Sequence, residues 1–273
     1  MHLSIRNLLL VILVLPSTAW PGAVLFIYPT MVMFEGNERS ATLTLLNRGD
    51  AIGTFETSWS ELSMGPEGGL TKVEGVAPWS IQPYVRYSPR RVRLEPGESQ
   101  VIKIALRHDP DAPEGEYYSH FRVLTLNVED LPDASNELVE PSANETSVSI
   151  RARSAVAIPI IWRNSRTPPM ASIEAVDIDP DENRLRVEVV RYGNVSVRGY
   201  LHLIGTLPDG KRGVLADPVP MVIYPTIGKR NASITLSEGL TTQMLGKGAE
   251  VIYTKGIDGL SEQDKIASFS IGQ

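Results

Sequence analysis

The chain has 273 residues, enough for one large domain or two of ordinary size, and its 42% hydrophobic content suffices for a full core. It contains no cysteine, which excludes disulfides, thiolate metal sites and cysteine nucleophiles. The formal net charge of −6 comes with no strong basic patch, so nucleic acid is not an expected partner.

Met1 to Asn7 is a basic start, Leu8 to Leu15 is apolar, and Ser17 and Ala19 are small. This order describes a secretory signal peptide over residues 1–23, with cleavage near Ala19 or Ala23. The apolar run is too short to cross a bilayer, which takes about 20 residues. No later segment is long and apolar enough either, so the mature chain is expected to be exported and not inserted in a membrane.

Helical periodicity is nearly absent from the remainder. Short β-rich runs punctuated by Gly, Pro, Asn and Asp are the pattern of all-β sandwiches. In the first half the runs fall near 24–34, 39–47, 53–61, 83–94, 100–107, 115–126 and 147–162. In the second half they fall near 171–178, 184–192, 197–206, 213–224, 230–236, 249–255 and 264–271. Seven strands in each half imply two immunoglobulin-like β-sandwich domains, an N-terminal one over 24–163 and a C-terminal one over 170–273. The polar stretch 164–169 ends in Pro168 and Pro169, a short stiff linker. Two sandwiches so joined should form a boomerang with a cleft between them.

Within 83–107 the sequence reads as an extended run, a Pro96-Gly97 turn and a strand of strict alternation. Val101, Lys103 and Ala105 point one way, and Ile102, Ile104 and Leu106 the other. Residues 127–146 are acidic, contain Pro, Asn and Ser, and lack alternation. They read as a long loop, a length that is usually functional or mobile. The strand that follows is long. Val148, Ile150, Ala152, Ser154, Val156 and Ile158 fall on one face, and Ser149, Arg151, Arg153, Ala155 and Ala157 on the other. Such a face is either ordinary core or an exposed edge kept for strand addition, in which backbone bonds give affinity and alternate side chains give register.

Catalytic patterns are missing. His108, His120 and His202 have no metal-ligand spacing near them. No phosphate-binding loop, nucleophile elbow or dinucleotide fingerprint occurs. Asp177, Asp179 and Asp181 crowd one turn and read as solvated, and Glu61, Glu67 and Glu74 are scattered through a Gly-rich loop without a pattern. The sequons at Asn144, Asn194 and Asn231 read as chance. Neither an enzyme nor a cofactor or metal protein is expected.

Four segments carry a resemblance. Ala23 to Phe34-Glu35-Gly36 followed by Ser40 to Asn47 resembles the first hairpin of the periplasmic pilus-assembly chaperones, the PapD-like family. Ser88-Pro89-Arg90 to Leu94-Glu95-Pro96-Gly97 and Gln100 resembles that family's turn. Gly115-Glu116-Tyr117-Tyr118-Ser119-His120 is similar to a motif of its archaic, alternative Csu-type branch, although that motif usually has arginine at the position of Tyr118. Ile160-Ile161-Trp162-Arg163 resembles the end of its donor strand.

The resemblance implies a periplasmic, non-enzymatic chaperone. It would bind pilus or fimbrial subunits by donor-strand complementation and deliver them to an outer-membrane usher. The donor residues would be Val148, Ile150, Ala152, Ser154 and Val156. The family's best-known branch anchors a subunit carboxylate with two basic residues, but the matching positions here are Met31 and Pro159. Arg90, Arg91, His120 and Arg163 are then the candidate anchors. Arg163 also matches an arginine that pairs with an acid of the second domain, for which Asp258 is the candidate. A self-capping dimer would hide the free edge. The alternative is a secreted two-domain structural or adhesive protein that captures nothing.

Overall fold

A computed structural model describes residues 22–126, 154–246, 248–258 and 261–272, and in these it is all β, with eighteen strands and no α-helix. The first ten strands are β1 (Leu25–Tyr28), β2 (Val32–Phe34), β3 (Ser40–Asn47), β4 (Gly53–Met64), β5 (Leu70–Val73), β6 (Val85–Ser88), β7 (Arg91–Leu94), β8 (Ser99–Leu106), β9 (Gly115–Leu126) and β10 (Ala155–Asn164). They form two facing sheets, one in the order β1-β3-β8-β6, the other β2-β10-β9-β4 with β5 and β7 both on the far side of β4. Between them lies a core that includes Phe34, Leu43, Leu45, Phe55, Ile102, Ile104, Phe121, Val123, Ile160 and Trp162.

Two runs that read as single strands are each divided between the sheets. The 24–34 run becomes β1 in one sheet and β2 in the other, with Pro29 at the break, and the 83–94 run becomes β6 and β7 with Pro89 at the break. Proline has no N–H to donate to a ladder, so pairing stops there and the chain is free to cross to the opposite sheet. Ser88-Pro89-Arg90 is therefore a crossing point. β5 was not expected: the Gly-rich segment after β4 folds back as a hairpin with register Glu61↔Val73 to Met64↔Leu70.

The second sandwich comprises β11 (Met170–Asp179), β12 (Arg184–Tyr192), β13 (Val197–Thr206), β14 (Arg212–Val214), β15 (Val219–Ile223), β16 (Lys229–Thr235), β17 (Glu250–Thr254) and β18 (Lys265–Ser270). One sheet runs β11-β12-β16 and the other β14-β13-β17-β18, with β15 also on β13. The 213–224 run is thus two strands, both pairing β13. Leu185, Val187, Leu201, Leu203, Met221, Val251 and Tyr253 are among the residues of its separate core.

The expected alternation in β8 holds, with Ile102, Ile104 and Leu106 buried and Val101, Lys103 and Ala105 exposed. Before it, Glu98 N–H donates to the Glu95 carbonyl across Pro96-Gly97, and Gly97 has φ +77°. Proline followed by a residue of positive φ is a type II turn, and the second position favours glycine. The turn docks on Asn47, whose N–H donates to the Glu98 carbonyl and whose carbonyl accepts from Gly97 N–H. The buried Asn47 side chain does more. Its Oδ1 accepts from Val24 N–H at 3.2 Å and Gly49 N–H at 3.0 Å, and its Nδ2 donates to the carbonyls of Ala51 at 2.8 Å and Leu94 at 3.2 Å. One amide thus ties β1, the β3–β4 corner and the end of β7.

Truncation would leave several of those backbone groups without partners in a dry site, at about 1–3 kcal/mol each before relaxation. Asn47→Ala is expected to lower unfolding free energy by about 3 kcal/mol, read as a lower urea midpoint with an unchanged slope. A loss below about 1 kcal/mol would show that the corner is held by its backbone alone.

Candidate functional site

β10 has two unlike halves. Its whole length pairs antiparallel with β9, from Ala155↔Leu124 to Asn164↔Gly115. On its other side β2 pairs only Ile160, Ile161 and Trp162. Among the described residues, the Ala155–Ile158 half has no strand on that side. The face that places Ile158, Ile160 and Trp162 in the first core continues to Val156, which is 38% exposed. Ser154, Ala155 and Ala157 are exposed as well. An apolar face that outruns its own core, on an edge without a partner strand, can accept another chain by strand pairing. Of the residues named for this role, Ser154 and Val156 are described, and Val148, Ile150 and Ala152 lie outside the described residues.

Arg163, at the other end of β10, holds a different kind of contact. Its Nε and Nη2 donate to Glu116 Oε2 at 3.2 and 3.1 Å, and its Nη1 to Glu35 Oε1 at 2.7 Å. The same Glu116 oxygen accepts from the backbone N–H and the hydroxyl of Ser196, at 3.1 and 2.8 Å, in the second sandwich. Glu116 N–H donates to the Asn194 carbonyl, whose side-chain oxygen accepts from Ser165 of the linker. Arg163 thus takes its acids from the first sandwich, and Asp258, which is exposed, is not its partner. The bridge to the second sandwich is made mainly by the carboxylate of Glu116 to a backbone N–H and a hydroxyl, with Arg163 Nη2 also donating to the Ser196 carbonyl at 3.4 Å. The side chain of Glu116 is fully buried and that of Glu35 half exposed, so the Glu116 bond carries the energy and the Glu35 bond little.

A small apolar cluster seals the contact between sandwiches. Met64, Tyr118 and Ile161 of the first pack with Tyr224 of the second. Tyr118 hydroxyl lies 3.2 Å from Thr226 Oγ1 and donates to the Leu62 carbonyl. Tyr118 is therefore an interface residue, and Phe121 and Val123 are core as expected. His120 is buried beside it, with Nε2 3.3 Å from the Tyr224 hydroxyl. Burial, with the Arg198 guanidinium nearby, lowers its pKa to about 4. A neutral, enclosed imidazole cannot reach an incoming carboxylate. The hairpin of β4 and β5 adds a second bridge: Asn231 N–H donates to the Pro66 carbonyl, and Asn231 Nδ2 to Glu67 Oε1 at 2.7 Å.

The other proposed anchors stand away from the cleft. Arg90 is exposed with its guanidinium 5.9 Å from the Tyr87 ring centroid, and Arg91 is 3.5 Å from Glu56. Only Arg163 of the four lines the interdomain cavity, where the further cations are Arg198, Lys255 and Lys265. Those three were missed because they are scattered over 68 residues on three segments, with no local pattern. Glu61 was also misjudged as loop. It is buried on β4, and its Oε1 accepts from Ser80 Oγ at 2.6 Å, Ser119 Oγ at 2.9 Å and Gln82 Nε2. Among the described residues no group of three His, Cys, Asp or Glu could hold a metal ion.

No protein-family model and no curated protein matches the chain. Solved structures do. One, from work on a chaperone–tip adhesin complex in CFA/I fimbriae biogenesis, is 13% identical, covers 91% of this chain and 98% of its own, and has a TM-score of 0.48. The CsuC–CsuE chaperone–tip adhesion subunit complex of the archaic Csu pili of Acinetobacter baumannii gives 12% identity, 86% and 95% coverage and a TM-score of 0.48. The CupB2 chaperone of Pseudomonas aeruginosa gives 16%, 84%, 92% and 0.46. These structures are fimbrial and pilus chaperones of the PapD-like kind. In fold, this chain is similar to them. The two immunoglobulin-like sandwiches stand on the chain's own sheets and cores.

Two predictions follow from the interface. Removing one partner of a buried ion pair costs about 3–5 kcal/mol because the other is left uncompensated. Glu116→Ala is expected to destabilise the protein by about 3 kcal/mol and broaden the distribution of inter-sandwich distances in a spin-label pair. Glu116→Gln, which keeps an acceptor for Ser196, should do less of both. Equal distance distributions in all three proteins would remove the clamp from the account.

His120 gives the pH dependence. An unfolded imidazole titrates near 6.5 and the folded one near 4, so between these values the unfolded state binds more protons. Its contribution is complete above about pH 6.5 and is lost as pH falls through about 4. The loss is on the order of 3 kcal/mol at 1.36 kcal/mol per unit. Urea midpoints measured from pH 7.5 to 4 should fall more steeply for the native chain than for His120→Gln. Parallel curves would mean that another group carries the acid limb.

Proposed function

We propose that this protein is a periplasmic, non-enzymatic chaperone of pilus or fimbrial subunits. Its β10 edge lends a strand to an incomplete β-sandwich subunit and hands the subunit on to an outer-membrane usher. The observation that carries the reading is the Ala155–Ile158 edge, with one ladder among the described residues and an apolar face that continues past its own core. A subunit that lacks a strand exposes both unpaired backbone and apolar pockets, and a donated strand satisfies both. Val156 and Ser154, with Val148, Ile150 and Ala152 before them, are the alternate side chains offered, the larger aliphatic ones filling pockets best.

Export through a signal peptide belongs to the same reading, with cleavage after Ala19. Gly22 N–H donates to Asp50 Oδ1, Asp50 N–H returns to the Gly22 carbonyl, and Ala23 packs on the first core. Cleavage after Ala23 would strip those contacts from the sandwich.

Val156 is exposed, so replacing it costs the free chain little. Co-expressed with small β-rich proteins encoded beside it, the tagged native chain is expected to co-purify with one of them from the periplasm. Val156→Asp, and Ile150→Asp in parallel, should lower that recovery about tenfold or more, because a carboxylate would have to enter an apolar pocket. A partner retained at native levels by both variants would defeat strand donation.

A further inference from the structure

The second sandwich meets β9 of the first through two loops that are far apart in sequence. One, residues 193–196 between β12 and β13, offers the Asn194 carbonyl to Glu116 N–H and the Ser196 N–H and hydroxyl to the Glu116 carboxylate. The other, residues 224–228 between β15 and β16, places Tyr224 in the apolar seal and the Thr226 hydroxyl beside that of Tyr118. Neither loop belongs to a strand, so no sheet ladder sets where it stands.

Arg191, near the end of β12, holds both. Its Nη1 donates to the carbonyls of Gly193 at 2.6 Å and Val195 at 3.3 Å in the first loop. In the second loop its Nε donates to the Ile227 carbonyl and its Nη2 to the Pro225 carbonyl, each at 3.1 Å. Its backbone N–H donates to the Gly228 carbonyl at 2.8 Å. Every acceptor is a main-chain carbonyl, and among the described residues Arg191 makes no ion pair. Burial pulls its pKa below the usual guanidinium value, and the charge of Glu116 across the joint opposes that. A guanidinium suits this place because its donors lie in one rigid fork and reach acceptors on two sides at once.

The two halves of the joint differ in how they are connected. On the first sandwich Glu116 and Tyr118 stand two residues apart on one strand and share a face. Their partners Ser196 and Thr226 have no such common element. We infer that Arg191 supplies it, joining the two loops into one unit so that the Glu116 clamp and the Tyr118–Tyr224 seal hold or release together. Arg191 is thus a positioning residue of the joint, acting through Ser196 and Thr226. The inference does not depend on strand donation by β10. The Asn231 bridge lies outside it, being carried by β16.

Amide hydrogen exchange of the full chain at neutral pH tests this, because local opening of each loop is read at its own N–H. The reporters are Ser196 in the first loop and Ile227, whose N–H donates to the Tyr224 carbonyl, in the second. Glu116→Gln is expected to speed exchange at Ser196 and also, about fivefold, at Ile227, which Glu116 does not touch. Tyr118→Phe should act in the reverse direction, speeding Ser196. Arg191→Lys keeps the charge and the stem but offers three donors from one point, too few and too close together to span both loops. In that background Glu116→Gln should speed Ser196 alone, and Arg191→Met should behave in the same way. The core amides of Val187 and Leu203 report whether the second sandwich is still folded. If Arg191→Met loses their protection, Arg191→Lys decides. An Ile227 amide unmoved by Glu116→Gln in the native chain would overturn the coupling. So would the same acceleration in the Arg191→Lys chain, since charge, or β9 alone, would then suffice.

Discussion

The arrangement of this molecule depends on one carboxylate oxygen. Glu116 Oε2 receives two N–H groups of Arg163 from its own sandwich and an N–H and a hydroxyl of Ser196 from the other. A buried carboxylate is costly unless charge and hydrogen bonds both offset the lost water. Here both are supplied, and half the hydrogen bonds come from the neighbouring sandwich. The oxygen is fully coordinated only when the two sandwiches stand in one relation. Tyr118, Ile161, Met64 and Tyr224 close the same contact with apolar surface, which resists sliding but sets direction weakly. Direction comes from the carboxylate and from the Asn231 bridge to the β4–β5 hairpin, and area from the aromatics.

That division explains the asymmetry of β10. Its C-terminal half is fixed on every side: β9 on one edge, β2 on the other, the first core beneath Ile160 and Trp162, and the interface beneath Ile161. Its N-terminal half has β9 alone among the described residues. Proteins usually blunt a free edge with charge, proline or a bulge because it recruits other chains. Pro159 sits at the junction of the halves, opposite His120, and the residues just before it at the open end are Val156, Ala157 and Ile158. The edge is not blunted by charge at those positions.

Much of this was legible from alternation. β9, β12 and β13 have the bounds that their patterns gave, and the buried set of β8 follows from period two alone. The crossings at Pro29 and Pro89 were not legible, because alternation reports which residues face a core but not which sheet supplies the strand. Glu61 was misplaced for a related reason. A carboxylate beside a Gly-rich stretch reads as part of the loop until Ser80 and Ser119, distant in sequence, are known to surround it. Arg163 was expected to pair with an acid of the second domain, yet its acids are Glu35 and Glu116, the latter across the β9–β10 ladder. A partner 47 positions away on a paired strand leaves no local trace. The cations of the cleft share that property, since they come from the start of β13 and from either side of the turn between β17 and β18.

The two ends of β10 are tied by geometry more than by any switch. Val156 and Arg163 are seven residues apart on one continuous strand, about 23 Å at 3.3 Å per residue. β9 pairs with every residue between them, so the span cannot shorten without breaking a ladder. For binding at one end to alter the other, there would have to be a second arrangement that each ligand favours differently. The ladder and the Glu116 clamp both oppose one. A strand added at Val156 would therefore leave the Arg163 end where it stands. β10 thus holds its Ala155–Ile158 half and its Arg163 end at a set distance.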